Sequence, residues 1–161
     1  MLVKELEDRE VVKGVEHEIE LEPGTRPICI PVRRFSPKEM EASTKQVKEL
    51  KEKKVMRPSN SPWCACALLM PKKDESTRMT IDHTALNKHT IKDRFHLPNI
   101  NTIIQHLGSA KYFSTFDLAS GDNQFKMREC DIEKTAFATP EGLYEFVCMP
   151  MGLSNEPATF Q

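Results

Sequence analysis

The sequence lacks the features of several protein classes. No apolar stretch approaches the roughly 18 residues that a membrane-spanning helix needs, and the first residues do not form a secretory signal. The five cysteines are odd in number and scattered, and the five histidines follow no metal-binding pattern. We therefore expect reduced thiols in an intracellular protein, with no disulfide or zinc framework and no membrane partner.

A strong net charge is also missing. The formal net charge of −1 argues against a free-standing protein that holds nucleic acid by charge alone. The charge is uneven, because residues 1–24 carry three basic and eight acidic side chains and the remainder is mildly basic. The 161 residues, 39% of them hydrophobic, fit one globular domain with a modest core.

Two segments near the N-terminus have clear local signals. Val15 to Leu21 alternates apolar and polar residues, which predicts a short half-buried strand, and a proline-rich extended stretch follows it. Ser36-Pro37-Lys38-Glu39 is a capping box with proline at the first helical position, so a helix should begin there. Its face from Lys45 to Arg57 is basic, as expected either of a phosphate-tracking surface or of an ordinary solvated one.

The middle of the chain predicts a hairpin and a second helix. Trp63 to Met70 is typical of a buried strand and Arg78 to Asp82 of its partner, whereas residues 83–98 have no regular pattern. Lys72, Lys73 and Arg78 around the tip could clamp a polyphosphate or simply keep the tip soluble. Apolar residues at helical spacing between Ile100 and Leu107 predict an amphipathic helix that Gly108 ends.

Tyr112 to Leu118 has strand composition and carries one carboxylate near its end, that of Asp117. Such a carboxylate suits a magnesium ion, although on spacing alone it more often ends the strand or caps the next turn. Three short strands should follow, at 125–127, 135–138 and 143–148. A helix capped by Ser154 then runs to the last residue, so we expect the domain to be incomplete at this end.

Several stretches, in order, resemble the reverse transcriptase of gypsy-type long-terminal-repeat retrotransposons. The resemblance spans roughly residues 15–161, and its separate pieces occur in the family's order without large gaps. The matching stretches are Pro58-Ser59-Asn60-Ser61-Pro62-Trp63, Lys72-Lys73-Asp74, Ile81-Asp82 with Leu86-Asn87, Lys92-Asp93-Arg94-Phe95-His96-Leu97-Pro98, Lys111-Tyr112-Phe113-Ser114-Thr115-Phe116-Asp117-Leu118, Lys134-Thr135-Ala136-Phe137, and Met149-Pro150-Met151-Gly152-Leu153-Ser154-Asn155 with Phe160-Gln161.

The resemblance implies an α+β right-hand polymerase fold, of which this chain would be the fingers and the first part of the palm. We expect an acidic arm and linker at 1–35, a fingers-like region at 36–110 and a partial palm at 111–161. The family joins deoxynucleoside triphosphates to a primer on an RNA or DNA template by two-magnesium phosphoryl transfer. The remaining partner would be the rest of the retroelement polyprotein, in a cytoplasmic retroelement particle.

The resemblance also implies roles for particular residues. Asp117 would be the first of the family's metal-binding, catalytic carboxylates. The implied nucleotide-binding residues lie in the fingers hairpin, beside the catalytic strand and in the palm. They are Lys72, Arg78, Leu118, Asp122, Met151 and Gln161.

Three departures from the family pattern bear on activity. The Tyr-x-Asp-Asp hairpin that supplies the other metal ligands is not in these 161 residues, so we expect the isolated chain to be inactive. Asp122 replaces the tyrosine that stacks under the nucleotide sugar, and Ala119 replaces an arginine. These substitutions leave two alternatives open, a degenerate remnant or a host-adopted, non-catalytic module that binds nucleic acid or another partner.

Overall fold

The structure is a computed structural model that describes residues 12–71, 77–94, 99–108, 110–115, 118 and 120–161. Within these residues, no helix is long and apolar enough to cross a membrane. The elements, in chain order, are β1 (Glu16–His17), α1 (Pro37–Glu52), β2 (Met56–Pro58), β3 (Ala65–Pro71), β4 (Thr77–Asp82), α2 (Thr84–His89), α3 (Ile100–Leu107), a first 3-10 helix (Gly121–Gln124), β5 (Lys126–Met127), a second 3-10 helix (Glu129–Thr135), β6 (Phe137–Thr139), β7 (Gly142–Phe146) and α4 (Glu156–Phe160).

A five-stranded sheet in the order β2-β7-β6-β3-β4 forms the centre of the described structure. β3 and β4 are the predicted antiparallel hairpin, in register from Cys66 opposite Asp82 to Pro71 opposite Thr77. β6 runs parallel to β3, so strands from both sides of residue 110 share one sheet. One apolar cluster, which includes Val47 of α1, lies on this sheet, and a second surrounds Ile19 and Met149.

The capping box at the start of α1 is confirmed. The Ser36 hydroxyl accepts a hydrogen bond from the Glu39 amide at 3.4 Å, and the Glu39 carboxylate accepts one from the Ser36 amide at 2.7 Å. These bonds satisfy two amides that the helix cannot pair itself, and they lower the pKa of Glu39. Val47 is fully buried against the sheet, whereas Met40, one turn into the helix, remains 45% exposed.

The N-terminal arm is held by a buried carboxylate. β1 pairs in parallel with β5, and the predicted alternation places His17 and Ile19 inside. The fully buried Asp131 accepts hydrogen bonds from the Ile19 amide at 3.1 Å and from Arg128 Nε at 2.8 Å. Lys134 pairs with the same carboxylate and donates to the Ile19 carbonyl at 2.8 Å. Burial acts to raise the pKa of Asp131, but these bonds outweigh it and the pKa is lowered.

The predicted buried strand from Tyr112 to Leu118 is wrong for the residues that the structure describes. Residues 112–115 belong to no strand, and the Tyr112 side chain is 94% exposed. A strand requires a partner for its backbone groups, and no described segment pairs with these residues. Strand composition therefore did not suffice here, because the pairing is a tertiary property.

Two helix predictions also need correction. Residues 83–98 contain α2, which the irregular pattern did not predict. Ser154 does not cap α4, since Asn155 holds the capping position and the Ser154 amide donates to Asn87 Oδ1 at 3.0 Å. The helix α3 is confirmed and Gly108 caps its end, but Ile100 and Ile104 on its apolar face are 72% and 59% exposed.

Replacing the buried carboxylate should detach the arm. We expect Asp131→Asn to lower the free energy of unfolding by about 3 kcal/mol, because Arg128 and Lys134 would lose their shared counter-charge. Urea unfolding measures the change. Glu133→Gln, on the exposed side of the same 3-10 helix, is the control and should have an effect under about 0.5 kcal/mol. Equal unfolding midpoints for the two variants would contradict the assigned role of Asp131.

Stability should also fall in mild acid. Burial lowers the pKa of His17 and the pKa of His83 to about 4 each. The charge of Asp131 opposes the shift of His17, and the charge of Asp82 opposes the shift of His83. Since the unfolded histidines titrate near 6.5, the unfolded chain binds more protons between pH 6.5 and 4. Stability should therefore be full above pH 6.5 and decrease by up to about 3 kcal/mol per histidine as the pH falls to 4.

Urea unfolding as a function of pH tests this expectation. His83→Leu should flatten the dependence between pH 6.5 and 4, because it removes one titrating group. His106→Gln changes an exposed histidine of α3 and should leave the slope as it is in the parent protein. A slope that is the same in all three proteins would show that burial of His83 does not set it.

Candidate nucleotide-binding cleft

A cleft of about 530 Å³ lies between α1, β4 and the segments around residues 122 and 151. This volume is in the range of small-molecule binding sites. The polar and sulfur-containing side chains of its wall come from four separate parts of the chain. They include Lys45, Gln46, Arg78, Asp122, Asn123 and Met151.

Gln46 fixes the β4 wall of this cleft. Its side-chain amide donates to the Thr77 carbonyl at 2.8 Å, and its carbonyl oxygen accepts from the Met79 amide, also at 2.8 Å. β4 is the last strand of the described sheet, so these backbone groups have no further strand to pair with among the described residues. One glutamine on α1 thus satisfies the backbone on both sides of Arg78 and sets where Arg78 leaves the strand.

Arg78 presents a positive charge to the cleft. Its guanidinium donates to Met151 Sδ at 3.1 Å, and a thioether is a weak acceptor. Among the described residues, no carboxylate lies within 4.0 Å of this guanidinium. Arg78 can therefore exchange its contact with Met151 for an anionic ligand at little electrostatic cost.

Asp122 puts a negative charge on the opposite wall. It lies in the first 3-10 helix, after Gly121, where a Cβ atom would come within 2.8 Å of the Phe160 ring. This close approach sets the helix against α4, whose Glu156 forms a side-chain hydrogen bond with Asp122. Burial raises the pKa of Glu156, the charge and hydrogen bond of Asp122 raise it further, and the Gly152 amide at 2.5 Å opposes the rise. Glu156 therefore holds a proton more tightly beside Asp122.

The structure brings together Arg78, Asp122 and Met151, three of the residues that the sequence suggested for nucleotide binding. Leu118 is 55% exposed and Gln161 is exposed at the chain end, and neither belongs to the cleft lining. Lys72 and Asp117 lie outside the described residues. The roles of all seven residues stay predictions.

Sequence reasoning missed Gln46 and did not single out Lys45. The basic face of α1 was a signal for Lys45, but it was equally typical of solvated surface. No sequence signal marked Gln46, because its role depends on the distance between α1 and the edge of the sheet.

The described residues do not by themselves fit a magnesium centre. They contain no group of three or more histidine, cysteine, aspartate or glutamate side chains that could hold a metal ion. Asp122 and Glu156 form a carboxylate pair, but the raised pKa of Glu156 favours a proton there. We therefore derive no step through a metal from this geometry.

Removing the Gln46 side chain should loosen β4. We expect Gln46→Ala to lower the free energy of unfolding by about 1–3 kcal/mol, because two backbone groups lose their partner at a partly buried site. Thermal unfolding measures the change. Glu41→Ala, at an exposed position of the same helix, should change the stability by under about 0.5 kcal/mol. A Gln46→Ala effect no larger than that of Glu41→Ala would refute the bridging role.

Comparison with known proteins agrees with the motifs. Residues 70–161 match the family described as reverse transcriptase (RNA-dependent DNA polymerase). The chain is 46% identical over 122 residues to the retrovirus-related Pol polyprotein from transposon opus of Drosophila melanogaster, covering 73% of this chain and 12% of the polyprotein. It is 40% identical over 122 residues to that from transposon gypsy of the same organism, covering 72% and 12%. It thus spans about an eighth of these relatives.

The fold is that of solved reverse transcriptases. The foamy viral protease-reverse transcriptase in complex with RNA/DNA hybrid superposes with a TM-score of 0.84 at 23% identity, covering 96% of this chain and 21% of the other. The foamy viral protease-reverse transcriptase dRH in complex with ds DNA gives a TM-score of 0.77 at 22% identity, covering 93% of this chain and 26% of the other. The predicted α+β right-hand polymerase fold is confirmed. The chain belongs to the reverse transcriptase family, as a segment similar to the Pol polyproteins of gypsy-type retrotransposons.

Proposed function

We propose that this chain forms the fingers and first part of the palm of a retrotransposon RNA-directed DNA polymerase. The full enzyme would extend a primer on an RNA or DNA template with deoxynucleoside triphosphates. The observation that carries the proposal is the convergence of Arg78, Asp122 and Met151 on one cleft in a chain of this family. The division at residues 35 and 110, and a location in a cytoplasmic retroelement particle, belong to the same proposal.

Arg78 is the proposed triphosphate ligand within the described part of the cleft. Its planar guanidinium can donate two parallel hydrogen bonds to phosphate oxygens, which a thioether contact does not match. Lys45 of α1 adds a second positive charge to the lining of the same cleft. By resemblance, Lys72 would add a third.

Asp122 works against this binding. Its carboxylate shares the cleft with Arg78 and Lys45, so a triphosphate entering the cleft meets this repulsive charge and that of Glu49 on α1 beside two attractive ones. Asp122 also leaves the cleft without the aromatic side chain that the resemblance implies at this position. Substitution by asparagine would remove the charge and keep the size of the side chain.

The 161-residue polypeptide on its own should bind a nucleotide but not polymerise. By resemblance, Asp117 supplies one magnesium ligand, and one carboxylate cannot position the two ions that this phosphoryl transfer uses. Magnesium, like the template and primer, enters the proposal through the family alone. The two functions can therefore be measured separately.

The test is isothermal titration of the 161-residue protein with deoxythymidine triphosphate and magnesium chloride, with primer extension measured in parallel. We expect Arg78→Ala to weaken triphosphate binding at least about tenfold, because a charge-assisted bidentate contact is lost. Asp122→Asn should tighten it about three- to tenfold, because the repulsive carboxylate charge is removed. Primer extension should be undetectable in every variant.

Arg26→Ala, which removes an exposed arginine far from the cleft in sequence, is the matched control and should bind as the parent protein does. Equal affinities of Arg78→Ala and the parent would overturn the assignment of the cleft. Primer extension by the isolated chain would overturn its proposed inactivity. Salt-sensitive binding of a primer–template duplex without triphosphate binding would instead support the non-catalytic nucleic-acid-binding module.

A further inference from the structure

Cys29 and Cys64 lie directly opposite each other on neighbouring extended segments. They form a parallel β-bridge outside the named strands. The Cys64 amide donates to the Ile28 carbonyl at 2.9 Å, and the Ile30 amide donates to the Cys64 carbonyl at 2.7 Å. Cys64 is thus bonded to both residues that flank Cys29, which fixes the register of the two cysteines.

This register suits a covalent link. Neighbouring strands lie about 4.7–4.9 Å apart, and directly opposed residues point to the same side of the pair. A disulfide joins Cα atoms about 4.4–6.8 Å apart. The spacing of the two bridged segments therefore lies within the range that a disulfide needs.

The two thiols differ in their surroundings. Cys29 is exposed, whereas Cys64 is 8% exposed and donates to the Ile30 carbonyl at 3.6 Å. Burial raises the pKa of the Cys64 thiol to about 11, and its hydrogen bond with Cys29 contributes to the rise. Thiol oxidation follows thiolate character and access to solvent, so Cys29 is the thiol that an oxidant reaches first.

We propose that Cys29 and Cys64 form a reversible disulfide when the protein meets a peroxide. The Cys29 sulfur attacks hydrogen peroxide, the O–O bond breaks, and the products are a Cys29 sulfenic acid and one water molecule. The Cys64 sulfur then attacks the Cys29 sulfur, the S–O bond breaks, and the proton of Cys64 leaves with the hydroxide as a second water molecule. Both thiols are oxidised together by one peroxide, and a dithiol reductant reverses the step.

The link would tie the N-terminal arm covalently to the central sheet. Near Cys29, the arm is held by two backbone hydrogen bonds to Cys64, which is the residue immediately before β3. The closed loop from residue 29 to residue 64 contains α1 and β2, so it also restricts a large part of the unfolded chain. Oxidation should therefore stabilise the folded protein.

To test the proposal, the 161-residue protein is oxidised with a slight excess of hydrogen peroxide, and the remaining thiols are then blocked with N-ethylmaleimide. Non-reducing tryptic mass mapping should show a Cys29–Cys64 cross-link, and Tm should rise by on the order of 5–10 °C. Dithiothreitol should reverse both changes. The absence of the cross-link in monomeric oxidised protein would overturn the proposal.

Three serine variants make the assignment specific. Trypsin leaves Cys64 and Cys66 in one peptide, because no lysine or arginine lies between them. The Cys66→Ser variant therefore shows which of the two is linked, and it should keep the cross-link. Cys130→Ser changes another exposed thiol and should also keep it. Cys29→Ser, at an exposed position that should not impair folding, should abolish both the cross-link and the Tm rise. A cross-link through Cys66 or Cys130, or a Tm rise that persists in Cys29→Ser, would refute the pairing.

Discussion

The buried carboxylate of Asp131 is the interaction on which the arrangement of the N-terminal arm depends. It is fully buried, yet its bonds to Arg128, Lys134 and the Ile19 amide satisfy it, so its desolvation is offset. Because Ile19 is held in this way, the following residues run along a defined path. Leu21 then pairs with Thr90, and Cys29 meets Cys64 eight residues later.

A second polar anchor connects the fold to the cleft. The edge of β4 would expose backbone groups, and Gln46 of α1 occupies two of them. The same contact holds the backbone on either side of Arg78, so helix packing and the position of a proposed phosphate ligand depend on one side chain. The cleft is therefore a product of how α1 lies on the sheet, more than of any local motif.

Family membership alone does not give the affinity of the cleft for an anion, because this affinity depends on the charges of the side chains that line the cleft. Arg78 and Lys45 attract an anion, while Asp122 and Glu49 repel it, and Asp122 lies beside Glu156, whose pKa is raised. The fold is that of reverse transcriptases, and the side chains of this chain set the balance of these charges. Nucleotide affinity should follow that balance.

The sequence alone was enough to predict the elements that depend on signals within a few neighbouring residues. The capping box at Ser36 predicted the start of α1, alternating and apolar runs predicted the β3–β4 hairpin, and helical spacing predicted α3. The ordered motifs were enough for the family and the fold, and they suggested Arg78, Asp122 and Met151 as residues of one site.

What only the tertiary structure decided depends on contacts between segments distant in sequence. The bridge of Gln46 to β4, the burial of Asp131 under the arm and the register of Cys29 with Cys64 have no local signature. The exposure of Tyr112 likewise contradicts its strand composition, because a strand exists only where another segment supplies hydrogen-bond partners. Propensity and periodicity act over a few residues, whereas pairing and burial are set by the whole fold.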